Sequence, residues 1–147
     1  MVERAVVLAV AAAAVAAITL AVRWWARRGV AGLRRAPTDG LWTALGASPD
    51  GRPSLVVFST PSCTVCRTAQ YPAVESVEAT FGSALRVLRV DLSQQPAAAA
   101  AFKVLTAPST ALLTGDGRVG SFNHGFAPAE RLSAQLSALG ALPVSTR

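Results

Sequence analysis

From Ala5 to Val22 the chain carries no charged residue and nothing more polar than Thr19. These 18 residues at 1.5 Å each make a helix of about 27 Å, roughly the depth of a bilayer core. What remains of the 147 residues suffices for one compact domain. The run is rich in alanine, so insertion into lipid leans on Val6, Val7, Leu8, Val10, Val15, Ile18, Leu20 and Val22. Trp24 and Trp25 follow at once, where amphipathic rings favour the headgroup zone. A cleaved signal peptide would end in a small-residue site, but this run ends in Arg23, Trp24, Trp25, Ala26, Arg27 and Arg28. A buried core helix would show a polar face, and none is visible. Residues 1–25 are therefore read as a single-pass transmembrane anchor, which places the chain at the cell membrane.

The formal net charge of +6 is gathered around that run. Residues 1–36 hold Arg4, Arg23, Arg27, Arg28, Arg34 and Arg35 against Glu3 alone, which leaves the remainder nearly neutral. A basic stripe for tracking phosphates is missing from the body, so no nucleic-acid partner is expected. Arginines on the C-terminal flank far outnumber those before the run, and the positive-inside rule then puts everything after Arg23 in the cytoplasm, the outer face being the alternative. Residues 26–51 read as a basic juxtamembrane linker. Its arginines set topology or rest on anionic lipid. A short helix is predicted over Asp39–Leu45 before the turn Ser48-Pro49-Asp50-Gly51, with Trp42 as a packing residue.

Beyond the linker, Ser54-Leu55-Val56-Val57-Phe58-Ser59 is a short apolar run typical of a strand covered on both faces. A long helix is predicted from Cys63 to Phe81, a second strand over Ala84–Val90, and a helix from Pro96 to Phe102 with proline in its first turn. Ser109–Leu113 and Val119–Phe122 flank Gly115-Asp116-Gly117, a hairpin signal. Ala127–Leu139 closes the body as an amphipathic helix carrying Leu132, Leu136 and Leu139 on one side. This order implies an α/β fold with a central mixed sheet and helices on its faces.

There are only two cysteines, Cys63 and Cys66, in one C-x-x-C. A small secreted scaffold would disperse more of them to staple distant loops, so this pair is chemical in purpose. As half of a zinc motif it would still need two ligands, and the chain offers one distant histidine, His124; no metal is expected.

The C-x-x-C at the start of the first long helix, with a proline just before the hairpin, resembles the thioredoxin family. The resemblance covers residues 52–140, leaving 141–147 as a tail. It is carried by Val56-Val57-Phe58 leading through Pro61-Ser62 into Cys63-Thr64-Val65-Cys66, by Asp91-Leu92-Ser93-Gln94-Gln95-Pro96, and by Phe102-Lys103-Val104-Leu105-Thr106-Ala107-Pro108-Ser109. It departs from the family where Ser62 replaces the usual tryptophan, where Thr64-Val65 replaces Gly-Pro, and where the buried acid and its lysine partner become Val57 and Val87. An apolar pair in place of a buried ion pair is often neutral or stabilising.

The resemblance implies a thiol:disulfide oxidoreductase without a cofactor. Its partners would be a protein disulfide or dithiol and an upstream thiol reductase or oxidant. Cys63, at a helix N-terminus, meets unpaired backbone N–H groups and the positive end of the macrodipole, which favour its thiolate. Thr64 adds a further donor. Cys66, three residues on, shares its face and resolves the mixed disulfide. Pro108 matches the family's cis-proline, which presents the backbone of Ala107 to an extended substrate strand. Gly125 matches the glycine of the loop that approaches the disulfide, and Val65 completes the substrate-facing set. Beside Gly125, His124 tunes the thiolate or is a solvated loop residue. Pro72 is expected to kink the active-site helix. The alternative function is a redox-inactive adaptor or binding module on the same fold.

Overall fold

The computed structural model describes residues 2–35 and 38–144, in two units, Met1–Gly32 and Leu33–Arg147. The first is one helix. α1 runs over Val2–Arg35, 34 residues, and the described large apolar side chains from Val6 to Trp25 are each more than half exposed. Among the described residues no helix is long and apolar enough to cross a membrane. Leu8 and Ala9 lie outside the described side chains, and the apolar run of the sequence is unbroken only with them. The helix does not stop at Trp25 but continues through the arginine-rich stretch predicted as linker. Alanine, leucine and arginine are good helix formers, and Arg28 folds back over the Trp24 ring one turn earlier, 3.5 Å from its centroid.

The second unit is built on a four-stranded sheet in the order β2-β1-β3-β4. β1 (Ser54–Ser59) is buried at every position, as its unbroken apolar run requires. It pairs in parallel with β2 (Arg86–Asp91), Leu55 opposite Val87 and Val57 opposite Arg89. A parallel pair needs a long crossover, and the helical segment ending in α3 (Tyr71–Phe81) supplies it. β3 (Ser109–Leu113) lies antiparallel on the other side of β1, and β4 (Val119–His124) follows antiparallel to β3. α4 (Pro96–Ala101) starts at its proline, and α5 (Ala129–Ala138) closes the body.

Alternation along β1 divides the core. Leu55 and Val57 meet Val74, Val77 and Phe81 of α3, Leu112 of β3, and Leu132 and Leu136 of α5. Val87, partly buried, packs against the same cluster, so of the two valines that stand in for an acid and a lysine, one lies in the core and the other borders it. On the other face the Phe58 ring lies 5.2 Å from Phe102 and 6.2 Å from Phe122.

The body begins earlier than residue 52. α2 (Thr38–Leu45) buries Leu41 and Trp42, and the Trp42 indole N–H donates to the carbonyl of Gly117, 75 residues away, at 2.9 Å. The short helix expected over Asp39–Leu45 and the packing role expected of Trp42 are both observed. Gly117 itself has φ +89°, and a Cβ there would stand 2.6 Å from the indole nitrogen, so the hairpin glycine is required both by conformation and by the tryptophan. Trp42→Phe is expected to keep the packing but strand the buried Gly117 carbonyl, costing about 1–3 kcal/mol. A urea titration of the full chain reads it. An unchanged midpoint would remove α2 from the cooperative unit.

Candidate redox site at one end of the sheet

Strand register brings the expected site residues to one place. Phe58 is opposite Ser109, and Ser109 is opposite His124. The end of β1, the start of β3 and the end of β4 therefore coincide. Cys63 follows the first of these, Pro108 precedes the second, and Gly125 follows the third.

From β1 the chain turns through Thr60–Cys63, with the Cys63 N–H bonded to the Thr60 carbonyl at 3.1 Å. The Arg67 guanidinium holds the turn from outside, donating to the Pro61 carbonyl at 2.7 Å. Helical backbone begins at Thr64. Cys63 and Cys66 are joined by a disulfide, with Cα atoms 5.3 Å apart. The Cys66 N–H points at Cys63 Sγ, 3.1 Å away, as an unpaired first-turn donor should. The two cysteines are unequally placed, Cys63 being half-buried and Cys66 fully buried. Thr64 and Val65 between them are exposed.

After Cys66 the helix opens into a π turn over Cys66–Gln70, closed by the Tyr71 N–H on the Cys66 carbonyl, and α3 resumes with Pro72 in its first turn. Proline cannot donate, and its ring crowds the carbonyl four residues back. A widened turn just ahead of it is the local form taken by the expected irregularity.

The Ala107–Pro108 peptide bond is cis, with Pro108 buried and Ala107 half-buried. Gly125 has φ +77°, and no atom lies within 4 Å of where its Cβ would stand. Glycine is required there by backbone conformation, with open space above it. His124 is exposed, its ring 4.6 Å from that of Phe122.

Two groups escaped the sequence reading. Gln70 is fully buried and bonds the backbone of Ala127, two residues past Gly125. Leu105 and Phe126 are exposed apolar side chains, 76% and 43%. With Val65 they make three of the five exposed large apolar residues described in this unit, and all three sit on segments that carry the site. Their nearness in sequence to Pro108 and Gly125 was the available signal for the last two; nothing local marked Gln70.

The perturbed carboxyls lie elsewhere. Hydrogen bonds from the Arg52 side chain and backbone hold Asp50 below the usual carboxylate range, and the Thr114 hydroxyl, then Arg118, do the same for Asp116. Both belong to the opposite end of the sheet. Among the described residues no group of three or more His, Cys, Asp or Glu side chains is placed to hold a metal ion.

A family model, Thioredoxin, matches residues 47–138. Solved structures share the fold at low identity. Thioredoxin-2 of the malaria parasite, described as a component of its protein secretion machinery, is 21% identical with a TM-score of 0.56, covering 59% of this chain and 82% of its own. Fasciola hepatica thioredoxin is 26% identical, TM-score 0.54, covering 61% and 83%. MTB dsbF, solved in mixed oxidized and reduced forms, is 20% identical, TM-score 0.52, covering 60% and 81%. No curated protein matches the chain.

Proposed function

The chain belongs to the thioredoxin family, and from that premise we propose that it is a thiol:disulfide oxidoreductase acting on protein substrates. The observation that carries the reading is the unequal exposure of two disulfide-bonded cysteines at a helix start. In the reducing direction the Cys63 thiolate attacks a substrate disulfide, one substrate sulfur leaves as a thiol, and a mixed disulfide forms. Cys66 then attacks Cys63 Sγ, releasing the second substrate thiol and closing the Cys63–Cys66 bond. Two electrons and two protons pass to the substrate. The Cys66 N–H facing Cys63 Sγ supports the thiolate whenever it forms. Ala107, beside Pro108, offers backbone to an extended substrate segment. Val65, Leu105 and Phe126 offer apolar contact around it. An upstream thiol reductase or oxidant resets the pair.

The same proposal makes residues 1–25 a single-pass anchor in the cell membrane, on the strength of the uncharged run, the Trp24-Trp25 pair and the flanking arginines. The arginine excess orients the body to the cytoplasm, where a reduced thiol pool favours work as a reductase. Resistance of the full chain to alkaline extraction from membranes, and protection of Cys63 from an impermeant thiol reagent in intact cells, are the expected results. Release by alkali would remove the anchor.

The oxidoreductase reading is tested by equilibrating the full-length protein, in detergent micelles, with graded glutathione buffers and counting alkylated thiols by mass. A reversible two-electron transition of Cys63 and Cys66 is expected, each 30 mV of midpoint corresponding to about 1.4 kcal/mol. A pair that stays oxidised or reduced across the whole range would overturn it.

A further inference from the structure

Gln70 is fully buried in a segment whose other inward residue is Cys66, four positions earlier on the same helical face. Its two amide atoms are both engaged by one residue: Nε2 donates to the Ala127 carbonyl at 3.0 Å, and Oε1 accepts from the Ala127 N–H at 2.9 Å. Ala127 needs such a partner. It is fully buried, yet it lies between the end of β4 at His124 and the start of α5 at Ala129, where neither a strand ladder nor a helix serves its backbone. Buried backbone groups are almost always paired. Gln70 thus does for this loop what a neighbouring strand would do.

The loop so held is Gly125-Phe126-Ala127, one wall of the redox site. At its other end the loop continues from β4, whose last residue His124 is paired with Ser109; the space above the Gly125 backbone is open, and Phe126 is 43% exposed. The two bonds at Ala127 tie the far end of the loop directly to the helical segment that follows Cys63. We propose that Gln70 is a positioning residue for substrate: by clasping Ala127 it fixes the Gly125–Ala127 wall against the active-site helix, and so favours extended protein disulfides, which must lie along that wall, over small disulfides, which need only reach Cys63. This rests on the oxidoreductase reading.

The test uses full-length protein in detergent micelles, pre-reduced and freed of reductant, in single turnovers against insulin and against the small aromatic disulfide dithiobis(nitrobenzoate). Gln70→Met fills the site but bonds neither Ala127 group. It is expected to slow oxidation by insulin roughly tenfold or more, the scale of an ångström-level misplacement, and to leave the small-disulfide rate within about twofold. Gln70→Glu keeps the acceptor for the Ala127 N–H and is expected to fall between. A purely structural defect lowers both rates in proportion, so an unchanged ratio of the two overturns the inference. Wild-type hydrogen exchange gives a check that needs no variant: the Ala127 amide is expected to exchange far more slowly than that of Phe126, and equal rates would overturn the clasp. A wild-type protein inert to both disulfides would instead sink the oxidoreductase reading, and this inference with it.

Discussion

Cys66→Ser is expected to stop the cycle at a covalent complex. The pre-reduced variant, mixed with insulin, accumulates a mixed disulfide through Cys63 that persists until external thiol is added. Multiple turnover falls by about 10³-fold or more, some 4 kcal/mol of transition-state stabilisation at 1.4 kcal/mol per tenfold. Cys63→Ser loses turnover to the same degree and forms no complex. The asymmetry follows from burial: a substrate disulfide can approach the half-buried Cys63, whereas Cys66 has no exposed surface and is reachable only by its neighbour. Mass spectrometry of the non-reduced mixture separates the cases. Complex of equal yield from both variants would mean that the cysteines are interchangeable, and the order of attack would have to be withdrawn.

The parts of the site that were legible in the sequence are those with a local signature. The unbroken apolar run of β1 predicted a central strand, and every position in it is buried. Gly115-Asp116-Gly117 predicted the hairpin between β3 and β4, and Pro96 predicted the start of α4. The cysteine pair was legible from its own count and spacing, whereas the cis bond before Pro108 was reached through the resemblance, because three short motifs in order say more than any one of them. What was not legible is held by contacts far apart in sequence. Trp42 was expected to pack, but its hydrogen-bond partner Gly117 lies 75 residues away and has no local signature. Gln70 is anchored 57 residues away on Ala127, and a glutamine in a helix ordinarily marks a solvated face. Its burial shows only when the loop after β4 comes to lie beside it. The π turn before Pro72 had a visible cause but no visible form, since proline can be accommodated by a kink or by a widened turn alike.

Val57 is where stability and chemistry pull apart. The side chain is fully buried among Leu55, Val74, Val77 and Leu112, with Val87 packed alongside. Val57→Asp restores the resembled family's internal acid without its lysine partner. At pH 7 the variant is expected to lose about 3–5 kcal/mol of stability, the scale of a buried charge left without a counter-charge. Burial disfavours the ionised form, so the folded-state pKa of this aspartate rises above its unfolded value of about 3.9. Below that value both states are protonated and the ionisation penalty vanishes. As pH climbs toward the folded pKa the unfolded state alone sheds its proton, and stability falls until both states are ionised. Urea midpoints of full-length wild type and variant are therefore expected to lie closer together at pH 4 than at pH 7, the remainder at pH 4 being the cost of a neutral carboxyl in an apolar cluster. Adding Val87→Lys supplies the counter-charge and is expected to recover part of the loss at pH 7. The same carboxylate offers a base for the Cys66 thiol, so decay of the mixed disulfide is expected to quicken in stopped-flow reduction even as the fold weakens. A midpoint difference that does not change with pH would mean that water reaches position 57. Unchanged resolution kinetics would mean that Cys66 gives up its proton by another route.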